Sequence, residues 1–217
     1  MTVDDMPVCC NWVFNPVAVK FGKRYLLFLR AEDHSRISHF RVATSEDGID
    51  FQVWEDPAHI PGGPEYDVYE TNRYDARITL LDGWYYIMFC SEADLGCRLD
   101  LVRTKDFVHY ERFPFASEIE QRNGVLFPEK INGLYVRLAR PLNQHAGGDM
   151  WVSYSPDLIF CGKSSLVMRI RWHCWDEEKL GLAAVPIKTK QGWLCIYHSV
   201  RLNGSHGSIN SASVCLT

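Results

Sequence analysis

Gly83-Trp84-Tyr85-Tyr86-Ile87-Met88-Phe89 is an apolar, aromatic-rich run opened by a glycine, and the chain repeats its form three more times. Gly22-Lys23-Arg24-Tyr25-Leu26-Leu27-Phe28 precedes it. Gly133-Leu134-Tyr135-Val136-Arg137-Leu138 and Gly192-Trp193-Leu194-Cys195-Ile196-Tyr197 follow it. Short turns such as Asp82-Gly83 and Asn132-Gly133, with apolar strands on either side, read as hairpins. After each of the first three copies comes a further strand and a polar turn, in Phe40 to Gly48, Leu99 to Phe107 and Met150 to Leu158. The fourth copy reaches only Ser208 to Thr217. Units of roughly 50–60 residues, each made of short strands without a helical pattern, predict the blades of an all-β propeller. A β-sandwich is the rival architecture, but it does not predict this spacing of like hairpins. The expectation is one propeller domain over residues 1–217, with blades at about 12–57, 66–115, 122–170 and 175–217.

Composition sets the broad class. With 217 residues, 47% hydrophobic and 23% charged, the chain has material for one well-filled core, or at most two small ones. Aromatics make up 13% and include seven tryptophans, which suits a β core and equally suits stacking on sugar rings. A formal charge of −4 gives no footprint for nucleic acid or an acidic membrane surface. No apolar run approaches the ~20 residues of a bilayer span. Met1-Thr2-Val3-Asp4-Asp5-Met6 is acidic and lacks a secretory hydrophobic region, so a cytoplasmic location is expected. Eight cysteines without a CxxC pair fit a reducing compartment, with no disulfide framework and no metal site. Asn203-Gly204-Ser205 matches a glycosylation sequon and is read as a chance match.

The run Tyr69-Glu70-Thr71-Asn72-Arg73-Tyr74-Asp75-Ala76-Arg77-Ile78-Thr79 is the stretch richest in reactive groups. It reads as a polar loop feeding a buried strand, a common way to hold side chains on a rigid support. Asp75 and Arg77 are two residues apart, so an extended chain points both to one face; the plain alternative is a surface ion pair. In a propeller the loops of several blades converge on one funnel, so its polar groups are far apart in sequence. Blade one offers Arg30 and Asp33, and blade two Asp75, Arg77 and Arg98. Blade three offers Arg122, Lys130 and Arg140, and blade four Lys179 and His198. Cations gathered around a carboxylate suit a phosphate anion, because guanidinium forks bind its oxygens in pairs. Taken singly, each of these reads first as a solvated surface charge. No HExxH, GxSxG, P-loop or GxGxxG motif is present.

Several segments together carry a resemblance. They are Phe14-Asn15-Pro16, Arg30-Ala31-Glu32-Asp33, Tyr74-Asp75-Ala76-Arg77-Ile78-Thr79 and Leu126-Phe127-Pro128-Glu129-Lys130-Ile131, with Ala139-Arg140-Pro141, Lys179-Leu180-Gly181 and Gly192 through His198. In this order they resemble glycoside hydrolase family 130, the β-mannoside phosphorylases and related mannosidases, built as five-bladed propellers. The resemblance implies phosphorolysis of a β-mannosidic oligosaccharide, with inversion, to α-mannose 1-phosphate. Inorganic phosphate is then a co-substrate, and no metal or organic cofactor is implied. It makes Asp75 the general acid, acting through a sugar hydroxyl, and places phosphate on Arg98, Arg122 and His198. Asn15, Arg30 and Asp33 fall on the sugar side, with Arg77, Lys130, Arg140 and Lys179 in support.

The chain departs from the family pattern at several positions. Tyr74 and Ala76 stand where the family has Glu and Pro around the acid. Ala139 replaces a His, Leu182-Ala183-Ala184 replaces a Gly-Ala-Gly stretch, and Cys161 replaces a Trp. About four blades are expected, the fifth being absent, so the ring is closed by a partner copy, closed again with four blades, or left truncated. Two alternatives accompany the phosphorylase reading: a phosphate-independent β-mannosidase, and a carbohydrate-binding propeller without catalysis.

Overall fold

The computed structural model describes the whole chain except residues 68–69, 115, 143–147, 204–205 and 217. Gly204 and Ser205 of the sequon therefore lie outside the described residues. The chain forms four antiparallel sheets in sequence order, the arrangement of propeller blades. The first comprises β1 (Trp12–Phe21), β2 (Arg24–Glu32), β3 (Ser38–Ser45) and β4 (Gln52–Val53). A four-residue helix, α1 (Pro64–Asp67), precedes the second sheet of β5 (Asn72–Leu81), β6 (Trp84–Ala93), β7 (Gly96–Thr104) and β8 (Tyr110–Phe113). The third holds β9 (Gln121–Leu126), β10 (Tyr135–Pro141), β11 (Met150–Ser155) and β12 (Gly162–Met168). Within each of these three sheets, neighbours in sequence are neighbours in space.

The fourth sheet is built differently. Here β13 (Lys179–Leu182) and β14 (Ile187–Thr189) share one edge of β15 (Gly192–Asn203), and β16 (His206–Leu216) runs along the other.

The repeated glycine runs are the second strands of the blades. In the second and third blades both faces of this strand are covered by neighbouring blades, which explains its near-continuous apolar character there; in the first and fourth, one face is covered in this way. Ile87 and Phe89 are fully buried from water, and they pack with Phe28, Phe40, Val102 and Phe107 between the first and second blades. Phe40 meets Phe89 edge-on at 5.4 Å between ring centres, the arrangement aromatic pairs prefer. Met88, Leu99, Leu101, Leu126 and Leu158 fill the space between the second and third blades. Leu138, Met150, Leu180, Leu182 and Tyr197 fill that between the third and fourth. The core is thus a series of seams between successive sheets.

The polar turns that end the third strands are one motif used three times. In Ser45-Glu46-Asp47, Thr104-Lys105-Asp106 and Ser155-Pro156-Asp157 the hydroxyl accepts a backbone N–H three residues on. The aspartate of each accepts two backbone N–H groups, two and three residues after it. Short polar side chains closing a turn in this way account for the strict position of Ser/Thr and Asp. Hydrogen bonds from Ile49 and Asp50 pull the Asp47 carboxyl down to about 2.

Candidate active site

The first strand of each of the first three blades is broken by a one-residue bulge at the same place. Phe14 and Arg30 are paired, as are Val17 and Phe28, so Asn15 and Pro16 together oppose Leu29. Asp75 and Ala76 oppose Phe89 in the second blade, and Asn123 and Gly124 oppose Ala139 in the third. The leading residue of each bulge is left-handed: φ is 48° at Asn15, 54° at Asp75 and 51° at Asn123. Asn and Asp tolerate this region better than other side-chain-bearing residues, and bulges re-aim a side chain beside an active site. Asp75 is therefore not on a loop, as the sequence suggested, but on a kink within β5. Two residues there oppose one, so Asp75 and Arg77 do not follow simple alternation, yet both border the same cavity.

The fourth blade has no bulge at the corresponding position. Gly181 alone opposes His198, which takes the place of Leu29, Phe89 and Ala139. A methyl group at Gly181 would collide with the His198 ring and press on the Asn123 amide. Glycine is what lets the imidazole lie over the strand.

These kinks converge on a cavity of about 460 Å³, within the range for small-molecule sites. Its lining includes Asn15, Asp75, Arg77, Arg122, Asn123, Arg140, Lys179 and His198. Asp75 is half-buried, and its Oδ1 accepts the Asn15 amide at 2.7 Å. No ion pair joins it to Arg77 among the described residues. Instead Arg77, only 8% exposed, donates to the Leu182 carbonyl at 2.9 Å from Nη2 and to Ala76 from Nη1. Arg140, 6% exposed, donates from Nη1 to the Leu180 carbonyl at 3.0 Å, and its Nε has no hydrogen-bond partner among the described residues.

Burial lowers the pKa of both these arginines, and Asp75 opposes the shift. Burial also lowers His198, reinforced by Arg77 and Arg140, so the imidazole is neutral at neutral pH. The result is one carboxylate facing a strongly cationic wall, an arrangement that favours an added anion.

Other expected residues fall elsewhere. Arg30 lies outside the lining, though near enough to feel the Asp75 charge: its guanidinium lies 4.2 Å from the Phe14 ring centre and 5.0 Å from that of Tyr74, and Nε donates to Ser38. Asp33 closes the turn between β2 and β3, accepting the Ser35 and Ile37 N–H groups and pairing with His39. Arg98 sits on β7 opposite Ser91, outside the lining. Lys130 lies near the turn at the far end of the third blade, its ammonium 4.2 Å from the Tyr135 ring centre. Asn123 and Ser211 are polar lining residues that the sequence reading passes over. Ala183, from the altered Leu182-Ala183-Ala184 stretch, borders the cavity, as do Val200 and Ile209.

A β-propeller whose hub sets an acid on a kinked strand among buried guanidiniums has the build of a carbohydrate-active protein of the propeller type. The chain belongs to glycoside hydrolase family 130: the family model described as beta-1,4-mannooligosaccharide phosphorylase matches residues 4–211. It is 36% identical over 211 residues to 4-O-beta-D-mannosyl-D-glucose phosphorylase of Bacteroides fragilis, covering 88% of this chain and 53% of that protein. It is 31% identical to beta-1,4-mannooligosaccharide phosphorylase of Ruminococcus albus, covering 98% of this chain and 65% of that one. Among solved structures, beta-1,2-mannobiose phosphorylase from Listeria innocua, in complex with beta-1,2-mannobiose, superposes with a TM-score of 0.84 at 26% identity. That match covers 94% of this chain and 71% of the other. The chain spans about half to two thirds of the length of the curated relatives it matches.

Proposed function

We propose that this chain carries the phosphate-dependent cleavage of β-mannosides, releasing α-mannose 1-phosphate and the acceptor sugar. The observation that carries the reading is the single cavity in which Asp75 faces Arg122, Arg140, Lys179 and His198. In the reaction a phosphate oxygen attacks the anomeric carbon from the face opposite the glycosidic bond. The C1–O bond breaks with inversion, and the departing oxygen takes a proton that originates on Asp75. Phosphate stands where an inverting glycosidase would place its activated water.

On this reading the cationic wall and the Asn123 amide hold phosphate. Asn15, through its bond to Asp75, keeps the acid turned to the sugar. Buried guanidiniums already bonded to backbone carbonyls lose little freedom when a ligand arrives, which favours binding. The names of the relatives cover β-1,4-linked, β-1,2-linked and mannosyl-glucose substrates, so linkage is a matter for assay.

The test is incubation with β-1,4-mannobiose, β-1,2-mannobiose and mannosyl-glucose, with and without inorganic phosphate, followed by phosphorus NMR. The α-anomer of mannose 1-phosphate is expected, and only with phosphate present. Asp75→Asn should lose about 10²–10⁴-fold in rate while the fold is retained. Release of free mannose without phosphate would assign the chain to the hydrolases instead.

A further inference from the structure

Arg122 is gripped from behind by side chains that have no place in the reaction as described. Its Nη2 donates to Glu92 Oε1 at 2.7 Å, and its Nε to the Cys97 sulfur at 3.4 Å. Its guanidinium carbon lies 5.4 Å from the Tyr74 ring centre. The other Glu92 oxygen, Oε2, accepts the Tyr74 hydroxyl. Tyr74 is buried and also faces Arg30, so one ring separates two guanidiniums that would otherwise repel.

The contacts divide the guanidinium in two. Nε and Nη2 form its side-on edge, and Cys97 and Glu92 occupy that edge. The end-on edge, with Nη1, is left for a ligand in the cavity that Arg122 lines.

We infer that Glu92, tethered by the Tyr74 hydroxyl, is a positioning residue that fixes Arg122 for an oxyanion in the hub cavity. The inference rests on the phosphate reading above and deepens it. A long, free arginine loses rotamer freedom when it closes on a ligand, whereas one clamped in advance does not.

Glu92 also brings a negative charge near the anion, and this opposes binding. Its side chain is 44% exposed and that of Arg122 is 30% exposed, so water screens this repulsion and the geometric effect prevails. The carboxylate comes from the strand paired with that of Tyr74, and the tyrosine hydroxyl aims it.

Calorimetric titration of the full chain with inorganic phosphate separates the possibilities, with thermal melting as a check on folding. Glu92→Ala should weaken phosphate binding about 10-fold, through loss of pre-organisation. Glu92→Gln, which keeps an oxygen acceptor for Arg122, should restore it to within about 3-fold of the parent. Tyr74→Phe should weaken binding in the same direction as Glu92→Ala, with β-mannobiose binding unchanged in all three. Tighter binding in both Glu92 variants would show that charge competition dominates, and would overturn the inference. Equal binding by parent and variants would also overturn it while leaving the phosphate reading intact. A parent protein that binds no phosphate would remove both.

Discussion

Asp75 and His198 face each other from different blades, and each takes its character from what surrounds it. His198 is held neutral by burial and by Arg77 and Arg140. An anion arriving beside it favours the imidazolium, so binding raises its pKa and draws in a proton. Sulfate, which does not itself titrate between pH 5 and 7, is the cleaner probe. Its binding should strengthen as pH falls through this range, with uptake of up to about one proton per anion. Calorimetry in buffers of different ionisation enthalpy measures that uptake, and His198→Asn should abolish it. Uptake undiminished in the variant would place the titrating group elsewhere. Arg122, Arg140, Lys179 and His198 are legible in the sequence, because a charged or titratable residue at either end of an apolar strand, or inside it, breaks a pattern. Asn123 and Glu92 are not, since nothing local distinguishes an amide on a kink or a carboxylate behind an arginine from ordinary surface polarity. Arg98 and Lys130 break the pattern equally well, yet they lie on a third strand and near a distal turn. Pattern-breaking marks a candidate and does not say which end of a blade it serves.

At the scale of the element, three first strands carry the same kink. The two residues of each bulge oppose one residue of the neighbouring strand, and the second of each pair is Pro16, Ala76 or Gly124. Gly124 shows why that residue is small: a methyl group there would overlap Leu99 and Met88 in the seam between the second and third blades. Gly124→Ala should therefore destabilise the protein by about 1–3 kcal/mol, the usual range for overpacking. Urea unfolding would measure this, and an unchanged midpoint would mean that the seam yields freely. The hairpins and their order are legible from period and turn chemistry, because each glycine run is apolar throughout and bounded by a turn. The bulges are not, since a single extra residue leaves the hydrophobic pattern on either side intact. The interruption between β13 and β14 hides for a related reason: Ala183-Ala184-Val185-Pro186 reads as one apolar stretch.

For the molecule as a whole, the blades are joined by seams and by polar ties that cross them. Arg77 reaches from the second blade to the Leu182 carbonyl of the fourth, and Thr79 bonds Leu126 of the third. Within the second blade, Arg112 forms a denser tie, which holds that sheet to the connection entering it. It pairs with Glu70 and Asp100 at 2.9 and 2.8 Å, with all three side chains no more than 4% exposed, and it donates to the Pro61 carbonyl. Burial raises the Asp100 pKa against the pull of Arg112, whereas at Glu70 the arginines Arg73 and Arg112 outweigh burial and lower it. Arg112→Met would strand two buried carboxylates and should cost about 3–5 kcal/mol, readable by denaturant unfolding. A loss below 1 kcal/mol would mean that water replaces the guanidinium. The recurring kink has a further consequence. Asparagine and aspartate differ by one base in their codons, and both accept the left-handed backbone that holds Asn15, Asp75 and Asn123 around one axis. Acid and amide can thus be exchanged at these sockets without disturbing the sheets beneath, so a single mutational step suffices to trade a carboxylate for an amide at the hub while the fold is kept.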